Sequence, residues 1–366
     1  MRPNKLLFVD SMRGWAILMV IACHQAQEFR LAGPLKLLTS YGQTGVFLFF
    51  LASAFTLSNS ATLRSDESHA TRNFFIRRYF RIAPLYYLGI AFYAALTLLF
   101  PGHAAGWTNG SALSLWTNLA LIHGLFPKAF SGAVPGGWSI GTEWIFYAIF
   151  PALFAASKRA VSAWGWRVLI LPVMLIAALS FALVFAITGG VENEIFYFWY
   201  CSLLTQLPVF LIGITLFMAL QSGSLPANLK RDAPLFLVFS GAAIWMLAMR
   251  WMLLLPLCSA ISFIFLFNTL RVTSIRYGVI ERIGRASYSM YVFHVFFAVM
   301  VTHRVLQAWP VPAGWKNPAY FAFLGGTIMA TYCVAHLSEI LIERRFIGLG
   351  QMLIKSRQLD LQPATP

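Results

Sequence analysis

The amino-acid sequence predicts an all-α polytopic membrane protein of about ten transmembrane helices with both termini cytoplasmic, and three observations predict it. Hydrophobic residues make up 59% of the 366 residues and charged residues only 11%, with a mean hydropathy of +0.71, well outside soluble globular usage. Apolar runs of about 20 residues, the length that crosses bilayer hydrocarbon, recur from end to end without a polar block large enough for a soluble domain. Lys and Arg are unevenly shared between alternate loops. With the amino terminus inside, most of the 27 fall in cytoplasmic segments, which is the positive-inside pattern and supports an even number of spans. The same asymmetry accounts for the net charge of +15, so the basic balance points to membrane lipids as partners and not to nucleic acid.

In chain order the spans are expected at about 9–29, 40–59, 82–100, 138–157, 166–188, 198–220, 233–250, 253–270, 287–308 and 318–342. The first carries Asp10, Arg13 and His24, which fall within about 60° of one another at 100° per residue and form one polar stripe. A charged group at bilayer depth costs about 2.5–3.5 kcal/mol on insertion scales, so the stripe is expected to face a protein interior or an aqueous cavity. Asp10 and Arg13 also interrupt what would be the apolar core of a cleavable signal peptide, and none is expected. The second span holds Gly45-Val46-Phe47-Leu48-Phe49-Phe50. Ahead of the third, Phe74-Phe75-Ile76-Arg77-Arg78-Tyr79-Phe80-Arg81 puts Arg78 and Arg81 one turn apart if helical. The fourth opens with Gly136-Gly137-Trp138-Ser139-Ile140-Gly141-Thr142-Glu143, where Ser139 and Glu143 share a face. Arg250 and Pro256 lie at the junction of the seventh and eighth. The ninth carries Ser287, Tyr291 and His294 on one stripe, and the tenth carries His336, Glu339 and Glu343. Cys23, Cys201, Cys258 and Cys333 lie within spans without metal-ligand spacing, so they are read as packing residues and no metal site is expected. Residues 1–346 form one membrane domain and 347–366 a short cytoplasmic tail.

Topology converts position into depth. The first span runs outward, so Asp10 and Arg13 lie near the cytoplasmic face and His24 about 16 Å beyond Arg13, near the outer face. The fourth runs inward from the outer face, which places Ser139 and Glu143 at the level of His24. Arg78, Arg81, Glu339 and Glu343 belong to the inner layer. Each group also has a plainer reading: the arginines anchor a helix at an anionic leaflet, an intramembrane His bonds a neighbouring helix, and Glu339 and Glu343 pair with Arg344 and Arg345. The coincidence of a stripe, a depth-matched carboxylate and an Arg cluster favours a shared cavity.

These residues resemble the acyltransferase family 3 of integral membrane proteins. Arg13 to His24 matches the family's Arg-x10-His signature, Gly45 to Phe50 its second-span motif, Arg78 to Arg81 its Arg-x-x-Arg, Trp138-Ser139 with Glu143 its Trp-Ser-x3-Glu, and Ala286 to His294 its late Ser-Tyr…Tyr…His segment. The likeness runs in order from residue 6 to about 346. Two departures stand out: Ala52-Ser53-Ala54 replaces the usual Ser-Gly, and Glu343-Arg344-Arg345-Phe346 lacks the usual Pro.

The resemblance implies acyl-CoA, acetyl-CoA in the first place, as donor and a hydroxyl of a cell-surface or exported glycan as acceptor, in the inner membrane of a bacterium. Arg78, Arg81 and Arg13 are expected to bind the anionic donor, since guanidinium groups suit phosphate. His24 is the expected general base, with Glu143 to orient it, Arg13 and Asp10 completing the catalytic set. Trp138, Ser139, Tyr291 and His294 are expected to place substrate. The alternative is a proton-coupled transporter or flippase, because intramembrane Arg, His and Glu also build proton relays.

Overall fold

The computed structural model describes residues 7–100, 111–273 and 278–359. Among them every regular element is a helix, and ten helical segments are long and apolar enough to cross a membrane. They run Leu7–Glu28, Gly33–Leu63, Ala70–Leu99, Trp138–Trp164, Trp166–Thr188, Glu194–Gln221, Leu229–Ala248, Leu255–Val272, Ser287–Ala308 and Ala313–Ser356. We number them spans one to ten. All ten expected spans are present, and three of those that outrun their apolar runs bear on the site and the tail. Span two is preceded by the short helix Gly33–Ser40 and a tight turn at Tyr41–Thr44. Span three begins at Ala70, roughly three turns before the apolar run, so Arg77, Arg78 and Arg81 belong to the same rod as the span. Span ten runs on through a π-helical turn at Glu339–Glu343 into the helix Arg344–Leu359. The segment expected as a tail from residue 347 is therefore helical to Leu359, with Gly350 seated on the Phe80 ring; residues 360–366 lie outside the described residues.

The interior is built by spans one, two, four, six, eight and nine, whose Met12, Phe47, Phe50, Phe146, Phe210, Phe263 and Met290 are buried. Without a hydrophobic driving force between helices in lipid, close backbone approach does much of the packing. Gly45 of span two lies against the Ala16 carbonyl of span one, and Gly213 of span six against the Leu51 carbonyl of span two. The phenylalanine rings fill the spaces between: Phe146 stacks on Phe210 at 4.0 Å between centroids, and Phe210 on Phe50 at 4.6 Å. Spans five, seven and ten are the periphery, and their Leu171, Leu175, Leu237, Val238 and Met329 stay exposed, as suits side chains that meet lipid.

Two connections matter for the site. The short helix Gly278–Arg285 lies against span one so closely that the Gly284 backbone touches the Asp10 carbonyl. The segment 111–137, between spans three and four, folds inward. Its Asn118, His123 and Val134 are fully buried. Tyr86 of span three donates to Asn118 Oδ1 at 2.6 Å, which also accepts from the Ala133 N–H at 2.8 Å. His123 Nε2 donates to the Gly137 carbonyl at 2.9 Å, and its ring stacks on Tyr86. Burial holds the His123 imidazole below its usual range, and the bond to Gly137 only partly opposes this. Because this segment descends into the protein, span four starts well inside it.

Candidate active site

A cavity opens among spans one, two, three, four and nine. Arg13 enters from span one and Arg78 and Arg81 from span three. Ser53 comes from span two, Ser139, Glu143 and Tyr147 from span four, and Tyr288 and Tyr291 from span nine. Three guanidinium groups thus face one carboxylate, and the lining carries an excess of positive charge.

Each charge is held by local chemistry. Arg13 donates through Nη2 to Thr56 Oγ1 at 3.1 Å, and its Nη1 lies 3.9 Å from Asp10 Oδ1. Asp10, one turn back on the same helix, therefore serves Arg13 and not His24. Arg78 lies over the rings of Phe74 and Tyr147, 5.9 Å from each centroid, a cation–π arrangement. Its Nε is buried without a partner among the described residues. Neighbouring Arg77 points away and pairs with Glu67 at 2.9 Å. Glu143 Oε1 accepts from the Ser53 hydroxyl and from Tyr147 at 2.6 Å. Those two donors, with the arginines nearby, keep a carboxylate tolerable at this depth.

The histidines lie next along span nine. His294 rests against the Tyr291 ring at 5.3 Å and against His24 at 5.0 Å between centroids. Tyr291 donates to the Gly136 carbonyl at 2.9 Å and sits 2.8 Å from Ser139 Oγ. A connected line of side chains, Ser139–Tyr291–His294–His24, therefore leads from the cavity to the histidine pair. His24 Nδ1 is 2.9 Å from the Val20 carbonyl, and His294 Nδ1 is 2.7 Å from the Tyr291 carbonyl. A carbonyl only accepts, so each Nδ1 carries the proton and each neutral ring keeps its lone pair on Nε2. His294 Nε2 is buried without a partner among the described residues.

The geometry corrects four expectations. Glu143 makes no hydrogen bond or ion pair with His24 among the described residues; it belongs with the arginines, because the inward-folded segment 111–137 lets span four begin below the level that its sequence position implies. The Val20 carbonyl, not a carboxylate, orients His24. Trp138 packs edge-on against Phe50 at 6.0 Å and does not line the cavity. Glu343 does not pair with Arg344 or Arg345. It is buried and accepts from the Ser289 hydroxyl, while Glu339 takes Arg344 at 3.0 Å. Arg13, Arg78, Arg81, Ser139, Glu143 and Tyr291 do converge, and His24 meets His294. Tyr147, Ser53 and Thr56 complete the site without having been singled out as site residues. Tyr147 is legible in retrospect, four residues after Glu143 and hence on its face; Ser53 and Thr56 share a face of span two in the same way.

Compared with known proteins, residues 6–336 match a family model whose description is an acyltransferase domain. No curated protein and no solved structure matches.

Proposed function

Because the chain belongs to the acyltransferase 3 family, we propose that this integral membrane protein moves an acyl group, acetyl in the first place, from cytoplasmic acyl-CoA to a glycan hydroxyl at the outer side of a bacterial inner membrane. The observation that carries the reading is the arginine-lined cavity joined through Tyr291 and His294 to His24, whose Nδ1 is engaged by the Val20 carbonyl. An anionic, phosphate-bearing donor fits a lining with three guanidinium groups, one of which has a buried unpartnered Nε. Acyl-CoA supplies the thioester and the thiolate leaving group.

The protein's own groups do the rest. Arg78 and Arg81 hold phosphate, permanently charged and able to bond through two N–H groups. Arg13, fixed by Thr56 and Asp10, sets the charge at the inner end of the path. His24 Nε2 takes the proton of the attacking hydroxyl. As the new C–O bond forms and the C–S bond breaks, the imidazolium returns that proton to the sulfur. A positioned base of this kind contributes about 10²–10⁴-fold. Glu143 offsets the mutual repulsion of the arginines that share its cavity; it is no part of the proton path.

The test uses oriented proteoliposomes, with acyl-CoA on the side of Arg78 and Arg81 and envelope oligosaccharide on the other. Acylated oligosaccharide is expected from the wild type and, at about 10²–10⁴-fold lower rate, from His24→Ala of equal yield. A His24→Ala protein that transfers normally, or transfer only with both substrates on the Arg78 side, overturns the proposal.

A further inference from the structure

A second pocket lies where span one ends against span nine, at the end of these helices away from Arg13. It is lined by Gln27, Glu28, Arg30, His303, Leu306 and Gln307. Only Leu306 among them is aliphatic. We propose that this pocket seats the saccharide acceptor, whose ring hydroxyls bond to these side chains while one hydroxyl is presented toward His24. The proposal rests on the acyl-transfer reading above.

Position is the first argument. Gln27 and Glu28 follow His24 by three and four residues, on its face and about 5–6 Å further along the axis. The pocket's other wall is span nine, which carries His294 to His24. The same two helices thus build both the histidine pair and the pocket beyond it.

Preorganisation is the second. His303 Nδ1 lies 2.9 Å from Glu28 Oε2, and Gln307 Nε2 lies 2.9 Å from His303 Nε2. The amide can only donate to that nitrogen, so Nε2 accepts, Nδ1 carries the proton toward Glu28, and the imidazole is neutral. This chain holds the three side chains in place and leaves Glu28 Oε1 and the Gln307 carbonyl outside it. Carboxylate and amide oxygens beside guanidinium N–H groups are the mixed acceptors and donors that vicinal hydroxyls require.

Arg30 supplies the third argument. Span one closes with Arg30 N–H on the Gln27 carbonyl at 3.1 Å and Leu31 N–H on the Ala26 carbonyl at 3.4 Å. Leu31 and Ala26 are both buried in one small apolar cluster. This is the Schellman closure, whose left-handed residue is usually Gly. Here it is Arg30, at φ 46°, a conformation that is strained for an L side chain. A long cation therefore stands where helix termination alone favours no side chain, and it stands at the pocket.

That position also makes the test clean, because Arg30→Gly relieves the backbone while removing the ligand contact. Binding of fluorescently labelled oligosaccharides released from the cell's own envelope is followed by anisotropy, alongside steady-state transfer from acetyl-CoA. In Arg30→Gly and in Gln307→Ala, the half-saturating oligosaccharide concentration is expected to rise about tenfold or more, as for loss of a hydrogen bond to a charged group. The half-saturating acetyl-CoA concentration is expected to stay put, and the unfolding temperature of Arg30→Gly to stay level or rise. Unchanged oligosaccharide affinity in both variants of a wild type that transfers overturns the pocket assignment and leaves the acyl-transfer reading standing. Labelled oligosaccharide that binds the wild type, is lost in Arg30→Gly, but is never acylated overturns the acyl-transfer reading and leaves a saccharide site. Displacement of the label by millimolar inorganic phosphate but not by unlabelled oligosaccharide makes the pocket an anion site and overturns the proposal.

Discussion

Gly284→Ala puts one methyl group into the tightest helix contact of the site. A Cβ there would lie 1.8 Å from the Asp10 carbonyl oxygen and 2.6 Å from its carbon. A carbon–oxygen contact settles at about 3.3 Å or more, so the helix Gly278–Arg285 and span one must separate by about 1.5 Å. The obstructing atoms are backbone, and no side-chain rotation relieves them. Overpacking of this kind costs about 1–3 kcal/mol. The larger consequence is functional, since the displaced turn carries Asp10 and leads directly to Arg13, and a misplacement of about 1 Å can cost about 10²-fold in rate. The assay is thermal unfolding of the purified protein in detergent together with acyl transfer from acetyl-CoA. Gly284→Ala is expected to unfold at a lower temperature and to transfer about 10²-fold more slowly. Gly241→Ala in span seven, where a Cβ meets nothing within 4 Å, is expected to change neither. Wild-type stability and rate in Gly284→Ala would refute the claim that this contact sets the position of Arg13.

Glu143→Gln is expected to slow transfer while leaving the acidic limb of the pH–rate profile in place, because the Val20 carbonyl and not Glu143 orients His24; a downward shift of that limb by about one unit, the size of a lost neighbouring charge, would restore Glu143 as the partner of the base. His123 is held neutral in the fold, below its usual value of about 6.5, so the unfolded chain binds the proton first as pH falls. Its contribution is complete above about pH 6.5 and is lost on acidification. His123→Gln is expected to flatten the fall in unfolding temperature between pH 7.5 and 5.5, and parallel profiles for the two proteins would refute this.

Much of the fold is legible in the sequence because the bilayer imposes a length and a composition on each span. All ten spans follow from that constraint, and so does the convergence of Arg13, Arg78 and Arg81, since charges at depth have nowhere else to go. Their helical register is equally readable: span three carries Arg78 and Arg81 into the cavity one turn apart, while Arg77, one position earlier, faces Glu67. Apolar runs do not mark where such a helix starts, which is why spans three and ten exceed them.

Depth across different spans is harder to read. Counting residues from the start of each apolar run assumes that every run begins at the membrane surface. Span four does not, because the segment before it carries a polar residue for each buried need: Asn118 satisfies Tyr86 and the Ala133 N–H, and His123 satisfies the Gly137 carbonyl. Those are long-range pairings between a loop and span three or the loop's own end, and no local period encodes them. With that loop drawn inward, Glu143 arrives at the arginines and His24 is left to a backbone carbonyl and to His294. The carboxylate and the proposed base are thereby separated, and on the proposed mechanism the charge balance of the arginine-lined cavity is uncoupled from the proton path. Two single substitutions, Glu143→Gln and His24→Ala, should accordingly differ in kind. The first should lower the acyl-CoA requirement, because the lining becomes more positive, with the pH limb unmoved, and the second should remove the limb itself; identical pH profiles in both variants would mean that carboxylate and base act as one unit.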